Sequence, residues 1–133
     1  MIPTIVPFYA AVLGLIFIFL SARVIVARRQ FRVRLGSGGN EVLERCIRVQ
    51  GNFAEYVPIT IILLTFLELY GASKWLVHAL CIALLLGRCI HAYCVGRIDE
   101  DIRQRRAGMA LTFGTLFIAA AGVIFYSVQW PFG

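Results

Sequence analysis

The sequence predicts an all-α integral membrane protein, a four-helix bundle subunit built as one domain over residues 1–133, and three observations carry that prediction. Sixty percent of the chain is apolar and only 15% is charged, with a mean hydropathy of +0.82. A soluble domain carries about half apolar and about a quarter charged residues, so this chain has too little polar surface to solvate a globule. Four runs are long enough to cross a bilayer, which takes about 20 predominantly apolar residues. These runs are continuous and lack the period-2 alternation of a membrane barrel. Low-complexity disorder and a two-domain soluble enzyme are excluded by the same composition.

The first span is expected over 5–27, interrupted only by Ser21 and Arg23 near one end. The second, over 46–70, carries Arg48, Gln50, Asn52, Glu55 and Glu68. The third, over 75–95, has Arg88 and His91 near its end. The fourth, over 107–130, contains no charge at all. Between them lie a basic loop at 29–44 with a Gly-Ser-Gly-Gly turn at 36–39, a tight hairpin at 71–74, and a short charged loop at 96–106.

Of the 13 basic residues, Lys74 alone lies in the second loop, and none falls in either terminus. The other twelve lie in the first and third loops or in the helix ends bordering them. The positive-inside bias therefore predicts that those two loops face the cytoplasm and that both termini face away from it. Trp75 and Trp130 then sit near the outer ends of their spans, where interfacial aromatics are expected. This bias accounts for the basic charge of +6 without nucleic acid. No basic stretch followed by a short apolar run and a cleavage site begins the chain, so no cleaved signal peptide is expected. Without a retention signal at the other end, a bacterial inner membrane is the expected location. Cys46, Cys81, Cys89 and Cys94 form no CxxC pair, and three of them lie in apolar runs, where cysteine serves as a small hydrophobe.

Charged side chains inside a span are costly and face a protein interior or a wet cavity. The run ERCIRVQGNFAEYVP at 44–58 is therefore the most informative stretch. At 100° per residue, Arg45, Arg48, Asn52, Glu55 and Tyr56 fall within an arc of about 100°, a polar wall at the cytoplasmic end of the span. Neutralising neighbours within a bundle explains one ion pair more easily than five groups on one face. Gln50 points the opposite way, and Pro58 is expected to free backbone carbonyls and bend the helix. Arg88 and His91, three residues apart, share a face of the third span. His78 faces elsewhere, and with no HxxxH, CxxC or carboxylate cluster no metal site is expected. Gly108, Gly114 and Gly122 with Ala119 to Ala121 suit close helix packing in the fourth span. No nucleophilic triad order or phosphate-binding glycine loop occurs.

The run at 44–58 resembles the signature of the MAPEG family, membrane-associated proteins in eicosanoid and glutathione metabolism, whose pattern reads ER-x-x-R-x-Q-x-N-x-x-E-[YH]-x-P. Ala-Arg-Arg-Gln-Phe-Arg-Val at 27–33 resembles the end of the first helix in the leukotriene-synthase branch. Gly-Arg-Cys-Ile-His at 87–91 resembles the third helix of the microsomal glutathione transferase branch, and Arg-Arg-Ala-Gly-Met at 105–109 the start of the fourth helix in bacterial members. The resemblance implies a homotrimer with glutathione, as co-substrate, held between subunits near the cytoplasmic face. Position by position it implies that Arg28, Arg48, Asn52, Glu55 and Tyr56 hold glutathione and that Gln50 supports the site. His91 stands where microsomal members have histidine and leukotriene-type members tyrosine. The thiol-activating arginine matches Arg106 best, with Arg105 as the alternative. Val95 replaces a second tyrosine of the leukotriene branch, which speaks against leukotriene-specific chemistry.

These residue types suit that ligand. Planar guanidinium groups match its two carboxylates, Glu55 its amine, and Asn52 and Tyr56 its neutral polar groups. The implied activity is a glutathione-dependent transferase or peroxidase of the kind used in detoxification. It would act on a hydrophobic electrophile, peroxide or lipid that reaches the site between helices from the membrane. Two other readings stand beside it: a non-catalytic lipid-binding or scaffold protein of the same fold, and a small transporter using Arg48 and Glu55 as a polar pathway. The second of these would need inverted repeats, and the sequence shows none.

Overall fold

In the computed structural model, which describes residues 2–99 and 101–129, four helices follow one another: α1 (Val6–Phe31), α2 (Glu41–Leu69), α3 (Lys74–Val95) and α4 (Ile102–Gln129). Each is long and apolar enough to cross a membrane. Among the described residues there is no strand. The two middle helices form the centre of the bundle: α2 packs against α1, α3 and α4, and α3 against α1, α2 and α4, while α1 and α4 do not meet. Leu13, Leu20, Phe53, Leu64, Leu67, Val77, Leu84 and Ala119 fill the shared core. The outer faces of α1 and α4 carry exposed large apolar side chains, among them Phe8, Leu15, Ile18, Phe117, Ile124 and Phe125. Apolar exposure on that scale belongs against lipid or against another apolar surface. Trp75 is exposed at the start of α3, while Trp130 lies outside the described residues.

Three helices extend beyond the apolar runs because capping, not hydropathy, sets their ends. The first span expected to stop at 27 runs to Phe31 and is closed by Arg32 in the left-handed region, φ 55°. The second starts at Glu41 rather than 46 because the Asn40 side chain accepts a hydrogen bond from the Leu43 N–H at 3.0 Å. The fourth starts at Ile102 rather than 107, with the Asp101 carboxylate accepting from the Arg103 N–H at 2.9 Å. The charged loop expected at 96–106 is thereby shortened, and Arg103, Arg105 and Arg106 stand on the opening turns of α4. Helix α2 continues through Pro58 as one element of 29 residues.

The start of α1 is held from a distance. Its N-cap, Ile5, has no side chain able to cap, and Pro7 follows within the first turn. The buried Glu68 carboxylate, near the far end of α2, accepts hydrogen bonds from the N–H groups of Thr4, Ile5 and Val6 at 2.7, 2.8 and 2.9 Å. An anion at a helix N-terminus satisfies its unpaired donors and its dipole together. Glu68 is thus a structural residue at the hairpin end of the bundle. The tight turn that returns the chain from α2 to α3 has Gly71 at φ 80°, a conformation only glycine adopts without strain.

Candidate functional site

At the opposite end of the bundle, where both longer connections lie, α2, α3 and α4 enclose a cleft of about 510 Å³. Its wall on α2 is the polar face predicted from the sequence: Arg45, Arg48, Asn52 and Glu55, joined by Glu41, Glu44 and Gly51. Helix α3 contributes His91 and Val95, and α4 contributes Arg105. Arg48, Glu55 and Arg105 are exposed, Asn52 is half-buried and His91 is buried. The cleft therefore combines three arginines and three glutamates on a partly open surface, an arrangement suited to a small zwitterion.

Arg45 braces the rim. Its Nη2 forms an ion pair with Glu41 Oε1 at 2.9 Å, one turn earlier on α2, and its Nη1 donates to the Val95 carbonyl at 3.3 Å. This joins the start of α2 to the end of α3. An exposed pair of this kind contributes little to stability. Arg48, one turn further on, lines the cleft and makes no ion pair among the described residues.

Behind the wall lies Arg88, a residue the sequence reading placed beside His91 but did not assign to the site. It is 1% exposed, within the apolar body of the bundle. Nη1 donates to Asn52 Oδ1 at 2.6 Å, Nε to Thr112 Oγ1 at 3.0 Å, and Nη2 to Met109 Sδ at 3.5 Å. Its guanidinium carbon lies 5.8 Å from the centre of the Tyr56 ring, and Phe113 meets the same ring edge-on at 5.2 Å. Arg88 thus ties the polar wall of α2 to α4. The approach of α4 that brings Thr112 within reach depends on Gly87 and Gly108, which meet across the α3–α4 contact.

The remaining expectations divide clearly. Tyr56 does not line the cleft; it turns toward α4, between Arg88 and Phe113. Gln50 is half-buried away from the cleft. Arg106 is exposed but does not line it, whereas Arg105 does. Arg28 stands in a separate cleft of about 520 Å³ at the end of α1, with Arg29, Arg32 and Arg34, and donates to the Gly36 carbonyl at 2.8 Å. Within one copy of the chain Arg28 and the cleft are apart. Among the described residues no group of histidine, cysteine or carboxylate side chains is placed to hold a metal. The four cysteines are free thiols. An almost wholly apolar groove of about 240 Å³ runs between α1 and α2, lined by Leu13, Gly14, Phe17, Phe53, Val57 and Pro58.

The MAPEG family model matches residues 6–125. The chain belongs to the MAPEG family. Its match covers α1, α2 and α3 of this MAPEG protein, α4 as far as residue 125, and every residue of the cleft. It is also similar to Inner membrane protein YecN of Escherichia coli K12, 39% identical over 118 residues that cover 89% of this chain and 88% of that protein. Inner membrane protein YecN of E. coli O6:H1, strain CFT073, matches to the same extent.

Proposed function

We propose that this MAPEG protein is a glutathione-dependent transferase or peroxidase of a bacterial inner membrane, binding glutathione in the cleft at the cytoplasmic end of the bundle. The observation that carries the reading is the convergence of Arg48, Asn52, Glu55, His91 and Arg105 on one cleft. Glutathione offers two carboxylates, a protonated amine and a thiol. Arg48 anchors a carboxylate with its planar fork, Glu55 accepts the amine, and Asn52 adds a neutral hydrogen bond. Arg105 supplies the cation beside the sulfur.

A free thiol titrates near about 8.5, and lowering that by two units takes about 2.7 kcal/mol. One guanidinium in a partly dry site provides an interaction on that scale. The opening turns of α4 add to it, since they carry three arginines and no acidic side chain in the first turn. The Asp101 carboxylate already caps that helix end, so it is the arginine side chains that supply the positive field. The thiolate then attacks an electrophilic carbon: a sulfur–carbon bond forms, the leaving group departs with the electron pair, and the thiol proton is lost to water in the open cleft. The apolar groove between α1 and α2 gives a hydrophobic substrate a path from the lipid.

Arg28 joins the site from a second copy of the chain. Its separation from the cleft within one copy and the apolar outer faces of α1 and α4 support a homotrimer with glutathione at each interface. The arginine-rich end of the bundle faces the cytoplasm, with both termini on the other side. The similarity to a protein named for the inner membrane supports that location. Purified chain in lipid nanodiscs, given glutathione and an aromatic electrophile, tests the activity. Conjugation above the uncatalysed rate is expected. Glutathione binding without turnover would favour the non-catalytic reading, and no binding would end the glutathione reading altogether.

A further inference from the structure

We infer that Arg88 is a positioning residue: it fixes which end of the Asn52 amide the cleft presents, so that this point of the site donates to ligand acceptors and cannot accept from ligand donors. The inference rests on the glutathione reading above. Arginine carries five N–H donors and no acceptor. The atom of Asn52 that lies 2.6 Å from Arg88 Nη1 must therefore be the oxygen. With Oδ1 held behind the wall, the NH₂ end is the part of this cleft-lining residue left for a ligand. The direction is enforced further back. Thr112 Oγ1 donates to the Gly108 carbonyl at 2.9 Å, which leaves its lone pairs for Arg88 Nε at 3.0 Å. The chain of hydrogen bonds therefore runs one way only.

Arg88 does not line the cleft, so it acts through Asn52. It is almost fully buried, and no carboxylate is among its described partners. Helix links do not require an unpaired buried cation, which is expensive to maintain in an apolar span. A lysine could not serve Asn52, Thr112 and the Tyr56 ring at once, because its single ammonium lacks the planar fork. Drawing on Oδ1 also polarises the amide and strengthens its N–H groups as donors. A carboxylate or peptide carbonyl is the ligand group that such a donor recognises.

The test uses the full chain in nanodiscs, with glutathione as the probe, and reads Kd by calorimetry and Tm by thermal unfolding. Asn52→Asp keeps an acceptor for Arg88 but turns an acceptor toward the ligand. It is expected to hold its Tm while Kd rises by about tenfold or more. Arg88→Lys is expected to raise Kd by about three- to tenfold in the natural background and to have no further effect in the Asn52→Asp background. Equal weakening in both backgrounds, or tight binding by Asn52→Asp, would overturn the inference. Should Arg88→Lys not fold, the Asn52 variants suffice: Asn52→Leu is expected to lose both Tm and binding, whereas Asn52→Asp loses binding alone. If the unaltered chain binds no glutathione, that reading and the ligand role fail together. The Arg88–Asn52 contact is then read without ligand, by Tm effects that are non-additive if the bond is as described and additive if it is not.

Discussion

A Cβ on Gly87 would lie 2.9 Å from the carbonyl oxygen of Gly108, and a Cβ on Gly108 would lie 2.9 Å from the carbonyl oxygen of Gly87. Helices α3 and α4 therefore meet backbone to backbone, as small residues allow in membrane bundles. That closeness carries Thr112 to Arg88 and sets His91 against the same crossing.

Gly87→Ala should separate the two helices. Overpacking of this kind costs about 1–3 kcal/mol, partly offset by the better helix propensity of alanine. Gly114, whose Cβ would meet nothing within 4 Å, is the control. The expected outcome is a lower Tm for Gly87→Ala with weakened glutathione binding, and an unchanged or higher Tm for Gly114→Ala.

Glu68 gives a prediction at the other end of the molecule. Glu68→Gln keeps one acceptor oxygen but loses the charge that satisfies three N–H groups at the start of α1. A loss of about 1–3 kcal/mol is expected, seen as a lower Tm. Glutathione affinity should not change, because Glu68 lies at the end of the bundle away from the cleft.

The spans themselves were legible because hydropathy over about 20 residues is a strong signal. Their ends were not, since Asn40, Asp101 and Arg32 set them through single side chains or a single backbone conformation. The 100° spacing rightly grouped Arg45, Arg48, Asn52 and Glu55, all on one helix. It placed Tyr56 at the edge of the same arc, where contact with α4 rather than periodicity decides its direction. Arg105 and Arg106 are adjacent in sequence, and only the position of α4 separates them. Arg88 could be seen as a charge in an apolar run beside Gly87 and three residues from His91. Its role could not, because Asn52, Met109 and Thr112 reach it from other helices.

Arg105→Ala should affect chemistry more than binding. Removing the cation beside the sulfur raises the apparent pKa of the bound thiol by about two units, so turnover near neutral pH falls by up to about a hundredfold. The pH–rate profile should move upward while glutathione Kd changes little. Arg106→Ala should shift the profile less; a larger shift would transfer the thiol contact to Arg106.

The apolar groove predicts a substrate effect. Gly14→Leu places a side chain against the space bounded by Phe17, Phe53 and Val57. KM for a long-chain hydrophobic electrophile should rise several-fold, while KM for glutathione and turnover of a small, water-soluble electrophile stay the same. Equal loss with both electrophiles would remove the groove from the substrate path.

Isothermal calorimetry of glutathione binding to the unaltered chain and to Arg48→Ala in nanodiscs tests the central claim most directly. Saturable binding by the unaltered chain is expected, weakened about ten- to a hundredfold in the variant, as the loss of a charge-assisted carboxylate anchor dictates. Absence of binding, or equal affinity in both, would contradict the account.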